Sequence, residues 1–133
     1  LDHYEFNANT SLVFNENDIL IGYFTLKQDE TKIDLESRNC LIIERLGVQK
    51  EYQSQGNGTL ILKFIVSIAE MFNQRYITID SVWECKEFYF KRGFRPFIEE
   101  EYERPNENGL VYMFIDLYDE EKVNSLYENP KIE

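Results

Sequence analysis

The stretch between residues 40 and 82 constrains the fold of this chain more than any other part of it. An apolar run over 40–48 is followed by a glycine-containing loop, a segment of helical period over 58–73 and a second apolar run over 76–82. This order is typical of a strand–loop–helix–strand crossover, which joins two parallel strands of one sheet. In the helical segment the polar residues recur in steps of three and four: Lys63, Ser67, Glu70 and Gln74. Because they form one stripe on an apolar surface, we expect a helix that is covered on most sides and packs against the sheet.

The flanking segments predict further strands and helices around this crossover. Alternating apolar residues and turn chemistry predict strands at 11–14, 19–26, 94–98 and 110–117 and a helix at 84–92 that ends at the cap Gly93. The expected solvated segments are the polar loop 27–38, the acidic loop 99–109 and the acidic tail 119–133, which adds a short helix or frays. The fold class is therefore α/β, with a mixed, mostly antiparallel sheet and flanking helices.

Composition limits the function further. The length of 133 residues and the 43% of hydrophobic residues predict a single domain over 1–133. The sequence shows no membrane-spanning run and no signal peptide, so we expect a cytoplasmic protein. The single histidine, His3, argues against a histidine-dependent triad or a histidine-rich metal site. The two cysteines, Cys40 and Cys85, lie in apolar segments without CxxC spacing, which predicts buried free thiols.

The net charge of −11 bears on partners. Such a surface repels phosphate backbones and favours a cationic substrate such as an amine, although simple solubility explains it equally well.

Between the strand at 40–48 and its helix lies a segment with two closely spaced glycines, Gln53-Ser54-Gln55-Gly56-Asn57-Gly58-Thr59. Glycines allow a tight turn, and the following helix N-terminus is an anion site suited to a pyrophosphate. A P-loop would carry a lysine before Thr59, and a dinucleotide fingerprint would carry a glycine at Ile61, so neither pattern fits.

This segment resembles the acyl-CoA loop of the GNAT superfamily of N-acetyltransferases, Gln/Arg-x-x-Gly-x-Gly/Ala after a strand that ends in Val, here Val48. A second motif of that family, Phe-Tyr-x-x-x-Gly-Phe, appears one strand later as Phe88-Tyr89-Phe90-Lys91-Arg92-Gly93-Phe94. The resemblance covers 19–117. The family usually begins with another strand and one or two helices, so we expect that part to be shortened or missing before the hairpin.

The resemblance implies a cosubstrate, acetyl-CoA, and no metal. It implies that the backbone of Leu46, Gly47 and Val48 pairs with the pantetheine arm and that an N–H near Val48 polarises the thioester carbonyl. The pyrophosphate is then held by the loop and first helical turn: Gln53, Ser54, Gln55, Gly56, Asn57, Gly58 and Thr59.

Two catalytic residues are expected on the same basis. Tyr89 matches the family tyrosine that protonates the departing CoA sulfur, and the alternative for Tyr89 is a core aromatic. Glu44 matches a glutamate that acts as general base in several members. The alternative for Glu44 is an ion pair with Arg38 or Lys50, since Arg45 points to the opposite strand face. Transfer is expected to be direct, without a covalent acyl-enzyme.

The acceptor is expected to be a small-molecule or peptide amine. Segments 22–26 and 44–48 also resemble the toxin acetyltransferases that modify aminoacyl-tRNA, but the net charge and Glu44 depart from that branch. Two alternative functions therefore stay open: a toxin that acts on tRNA, and a CoA-binding or interaction module without catalysis. A homodimer stays open as well, whereas no membrane partner is expected.

Overall fold

A computed structural model describes the backbone of residues 8–33 and 36–128 and the side chains of 9–29 and 39–128. Six strands run in these ranges, namely β1 Ala8–Phe14, β2 Leu20–Ile33, β3 Glu36–Val48, β4 Tyr76–Val82, β5 Arg95–Pro96 and β6 Leu110–Asp116. The α-helices of the same ranges are α1 Asn57–Met71, α2 Lys86–Lys91, α3 Glu100–Glu103 and α4 Glu120–Glu128. Short 3-10 turns at Lys50–Tyr52 and Trp83–Cys85 precede α1 and α2.

The strands form one mixed sheet in the order β1-β2-β3-β4-β6-β5. β3 and β4 pair in parallel through the α1 crossover, and the other neighbouring strands pair antiparallel. The predicted fold class and the predicted crossover are thus confirmed. Because side chains alternate across a strand, β4 presents Ile77 and Ile79 to the helix side, where they join Ile65, Val66 and Ala69 of α1 in the core.

α1 is less covered than the sequence predicts. Leu60, Phe64 and Met71 are 59%, 58% and 77% exposed, so the expectation of a helix covered on most sides is wrong. The described elements that contact α1, among them the sheet and α4, leave these three apolar side chains in solvent. Gln74 belongs to the connection after α1 and is itself buried.

The predicted loop 27–38 is also wrong. β2 continues to Ile33 and β3 begins at Glu36, so these polar residues form the far part of a long hairpin. Ladder hydrogen bonds satisfy the backbone of such a ribbon whichever side chains it carries, which is why a polar composition did not exclude strands.

The apolar run at 40–48, interrupted by Glu44 and Arg45, predicts a strand that is buried on both faces, and this expectation is wrong for β3. Thr25 lies opposite Arg45 and Leu26 lies opposite Ile43, which leaves Glu44 as an extra residue in a β-bulge. Glu44 and Arg45 are exposed there.

The predicted end of α2 is confirmed. Gly93 has φ of 100°, and its N–H bonds the carbonyl of Phe90 while the N–H of Phe94 bonds the carbonyl of Tyr89. These two bonds form a Schellman motif, which requires a residue that tolerates positive φ.

The last third of the chain largely follows the prediction. The expected pair at 94–98 and 110–117 is present, with β5 only two residues long, and the acidic loop 99–109 contains the short helix α3. The tail forms α4, while residues 1–7 and 129–133 lie outside the described part. Helices of the described ranges are all too short or too polar to span a bilayer.

Candidate cofactor and catalytic site

β3 and β4 diverge at the centre of the sheet. Their parallel pairing ends at Ile43 and Ile79, although β3 continues to Val48 and β4 to Val82. The backbone of 46–48 therefore keeps its bonds to β2 on one side, and on the side of β4 no strand of the described ranges pairs with it. An extended molecule with amide groups can add to such an edge in the way that another strand would.

The loop at 49–56 leads from this opening to the first turn of α1. Its own amide side chains hold it in place, since Gln53 Nε2 donates to the carbonyl of Val48 at 2.9 Å and Gln55 Nε2 donates to the carbonyl of Glu51 at 3.0 Å. Asn57 Nδ2 donates to the carbonyl of Tyr52 at 2.8 Å. These amides therefore hold the shape of the loop.

A left-handed residue opens α1. Gly56, with φ of 86°, stands at the N-cap, and the helix runs from Asn57 with its N-terminus at the loop. The N–H groups of a first helical turn have no partner within the helix, and the positive end of the dipole lies beside them. The arrangement can hold a phosphate group.

A cavity of about 290 Å³ lies beside the diverging strands. Four predicted binding residues line it, together with three residues from the start of α2: Leu46, Val48, Gln53, Ser54, Cys85, Phe88 and Tyr89. The structure thus brings the glycine-loop motif and the Phe-Tyr motif to one cavity. Gly47, Gln55, Gly56, Asn57, Gly58 and Thr59 belong to the adjoining strand, loop and helical turn and do not line the cavity itself.

Tyr89 is both a core aromatic and a cavity residue. The side chain is only 6% exposed, and its ring packs edge-on against Phe88 and Phe94. Within the described residues its hydroxyl makes no hydrogen bond, so the phenol remains available to a bound molecule. Burial, with a contribution from a charge on neighbouring Cys85, raises the pKa of Tyr89 well above its usual value. The group therefore remains a protonated donor throughout the physiological range.

Arg92 is a functional candidate that the sequence reading missed. Its side chain is completely buried, its Nε donates to Thr59 Oγ1 at 2.8 Å, and its Nη1 donates to the carbonyl of Phe88 at 2.9 Å. Its guanidinium also stacks 4.0 Å from the centre of the Phe88 ring. Arg92 thus joins the first turn of α1 to the helix that carries Tyr89 and places a positive charge behind that turn. No distinct sequence signal marks Arg92, because Lys86, Glu87 and Lys91 place other charges in the same segment.

Glu44 does not line the cavity of Tyr89. It borders a separate polar pocket with Thr10, Thr25 and Arg45, where the Thr10 and Thr25 hydroxyls lie 2.8 Å apart. It makes no ion pair with a side chain that the structure describes, so the proposed pairing with Lys50 is not formed, and Arg38 lies outside the described side chains.

Asp80 is a second carboxylate near the opening. It is the first β4 residue after the last parallel pair, just as Glu44 is the first after Ile43 on β3. Partial burial and the nearby charge of Glu101 raise the pKa of Asp80 above its usual value. No motif marks Asp80, and a lone acid in an apolar run was its only signal.

The predictions for the two cysteines have different outcomes. Cys40 is buried, as expected, and burial raises the pKa of its thiol. Cys85 is exposed, so the expectation of burial is wrong there. It lies at the N-cap of the short helix α2, where the residue opens onto the cavity rather than the core.

Comparisons with known proteins agree with this fold. The profile of a family described as "Acetyltransferase (GNAT) domain" matches residues 3–113. No curated protein matches the chain significantly.

Among solved structures, a bacterial toxin shares 17% identity with a TM-score of 0.70, over 94% of this chain and 74% of the other. A KacTA–DNA complex shares 15% with a TM-score of 0.67, over 92% and 74%. An acetyltransferase from Bacillus cereus shares 24% with a TM-score of 0.60, over 83% and 73%. At these identities the solved structures establish the shared fold.

Proposed function

Since the chain belongs to the GNAT acetyltransferase family, whose profile spans most of its length, we propose that it is an acetyl-CoA-dependent N-acetyltransferase that acts on a primary amine by direct transfer. The observation that carries this proposal is the opening between β3 and β4, bordered by the glycine loop at one end and by Tyr89 on its wall. Both family motifs meet there. The first turn of α1 suits the phosphate end of CoA, and the phenol of Tyr89 suits its sulfur end.

The residues of the site fit CoA at three points. The unpaired edge at 46–48 suits the amides of the pantetheine arm, and the first turn of α1 suits the pyrophosphate. The unpartnered phenol of Tyr89 suits the sulfur. The cosubstrate supplies an acyl thioester, and the protein then has to orient it, polarise its carbonyl and manage two protons.

Tyr89 is proposed to donate a proton, or a strong hydrogen bond, to the departing thiolate. An alkyl thiol has a pKa of about 8.5, below that of a phenol at about 10. Burial raises the pKa of Tyr89 and so widens the difference between the two pKa values. Stabilisation of the thiolate by a hydrogen bond is therefore the larger part of this role. A backbone N–H near Val48 is proposed to polarise the carbonyl.

The amine is proposed to lose its proton to a carboxylate at the opening. Glu44 is the residue that the family resemblance indicates, and Asp80, with its raised pKa, is a second candidate on the neighbouring strand. Because Glu44 and the cavity of Tyr89 are separate, a bridging water suits Glu44 better than direct contact. The acidic surface favours an amine acceptor that arrives as a cation.

The first experiment measures whether acetyl-CoA raises the melting temperature of the wild type and of Gly56→Glu. The substitution introduces a bulky anion at the proposed pyrophosphate site, so we expect a rise of several degrees in the wild type and none in the variant. Gly109→Glu is a matched control, because Gly109 also has a positive φ, of 76°, and lies in open space in the turn before β6.

A Gly109→Glu protein should retain the ligand-induced rise even if its own stability falls. No rise in the wild type at millimolar acetyl-CoA would contradict the proposal and favour a module without catalysis. A rise without thiol release in an amine screen would favour a CoA-binding protein.

Similarity in fold to a bacterial toxin supports a second candidate, a toxin-type acetyltransferase that modifies aminoacyl-tRNA. The net charge of −11 argues against tRNA as acceptor. Growth arrest on expression, relieved by Tyr89→Phe, together with tRNA binding at physiological salt would favour the toxin. Normal growth and no tRNA binding would leave the small-molecule or peptide amine.

A further inference from the structure

Cys85 lies in the cavity where the proposed function places the sulfur of CoA. The thiol is exposed, and the residue lines the cavity together with Val48, Ser54 and Tyr89. Direct acetyl transfer assigns no role to this thiol.

The position of Cys85 relative to Tyr89 determines what it meets. The two residues are four apart across the start of α2, a spacing that places side chains on one face of a helix. Both residues also line the same cavity. The phenol is more than nine-tenths buried, lines the cavity and bonds no described residue, so it has an unused donor for a bound atom. A sulfur held by that donor would be a neighbour of the Cys85 thiol.

We propose that Cys85 is a site of reversible modification by CoA itself, through a mixed disulfide that forms by exchange with CoA disulfide and closes the acetyl-CoA site. The inference rests on the proposed function, because the same loop and strand edge that hold acetyl-CoA would hold the nucleotide part of the disulfide.

The exchange is balanced with CoA disulfide as the oxidant. The Cys85 thiol loses its proton to solvent, and the thiolate attacks one sulfur of CoA–S–S–CoA. The bond between the two CoA sulfurs breaks, a bond forms between Cys85 Sγ and one CoA sulfur, and the other CoA leaves as a thiolate that takes up a proton. Cys85 is oxidised, one CoA is reduced, and any thiol reductant reverses the step.

The site should distinguish CoA disulfide from disulfides without a nucleotide. Binding of the pyrophosphate and pantetheine would raise the local concentration of the reacting sulfur, as a linker does for a tethered ligand. Glutathione disulfide lacks those groups and would meet Cys85 only by collision. Cys40 is an internal reference, because it is fully buried on β3, whereas Cys85 lies in the turn before α2.

The test follows the intact mass of reduced wild-type protein during incubation with CoA disulfide or with glutathione disulfide at equal concentration. We expect one CoA adduct per chain, formed at least 10-fold faster than the glutathione adduct, and removed by dithiothreitol. Cys85→Ser should abolish the adduct, and Gly56→Glu should slow CoA addition to the glutathione rate while leaving glutathione addition unchanged.

Equal rates for the two disulfides, or no effect of Gly56→Glu on the CoA rate, would overturn the proposal and leave Cys85 as an ordinary surface thiol. Adduct formation on Cys40 would overturn it as well. The melting shift with acetyl-CoA, measured on reduced protein in dithiothreitol, separates the two conclusions. If that shift is absent the proposed function fails, whereas a normal shift with unselective exchange refutes only the role of Cys85.

Discussion

The bond between Thr59 and Arg92 lies in the interior, where the loss of one hydroxyl should be measurable. Thr59→Val replaces the hydroxyl by a methyl group of similar size, so it creates almost no cavity. It removes the acceptor of Arg92 Nε at 2.8 Å, with both side chains essentially inaccessible to water. A buried hydrogen bond to a charged group is worth about 1.5–3 kcal/mol. We therefore expect a loss of about 2 kcal/mol, or about 7 °C in Tm for a chain of this length.

The assay is urea unfolding of the wild type and Thr59→Val, followed by circular dichroism. Ser67→Ala is the control, because it removes a hydroxyl from an exposed position of the same helix, where Ser67 bonds the carbonyl of Lys63. We expect that control to lie within about 0.5 kcal/mol of the wild type. The double variant with Arg92→Met completes a thermodynamic cycle, with an expected coupling of about 1 kcal/mol or more.

A change below about 0.5 kcal/mol in Thr59→Val, or a coupling energy near zero, would refute the argument that the buried guanidinium depends on this hydroxyl. A large loss with strong coupling would support Arg92 as the residue that ties the first turn of α1 to the helix of Tyr89.

Three further predictions concern other parts of the site and fold. Tyr89→Phe should lower kcat about 10–100-fold, which is the value of a hydrogen bond to a developing thiolate. Its Tm should change little, because the hydroxyl bonds no described residue. Steady-state kinetics test this prediction, and an unchanged kcat would remove Tyr89 from the chemistry. Gly93→Ala should destabilise the protein by about 3 kcal/mol, since φ is 100° and a Cβ would collide with the carbonyl of Lys122. Urea unfolding tests this prediction, and a decrease in the free energy of unfolding of less than about 1 kcal/mol would contradict it. Asp80→Asn should stabilise the protein at pH 7. Because the folded pKa of Asp80 is raised, its ionised form opposes folding above that pKa, so the gain should vanish below about pH 4; a gain that persists at pH 3 would contradict this assignment.

The sequence by itself determined the elements whose signals are local. The strand at 76–82 was predicted at its observed bounds, and α1 within about two residues at each end, because apolar periodicity reports directly on the face that a segment buries. The end of α2 followed from Gly93, since few other residues tolerate the backbone angle of that cap. The two family motifs were likewise contiguous patterns, and they identified the fold and most of the cavity residues.

Only the tertiary structure decided the features that depend on partners distant in the chain. The polar residues after Lys27 form a strand because their backbone pairs with that of β3. No side-chain pattern predicts this pairing. The bulge at Glu44 and the divergence after Ile43 depend on how three strands share one sheet, and they moved Glu44 into a pocket apart from Tyr89.

The burial of Arg92 and the exposure of Cys85 have the same origin. A neighbouring helix covers one, while the other opens onto the gap between the strands. Burial is a property of the packed assembly, so a residue's type and its neighbours in sequence predict it only where the period of one element dominates.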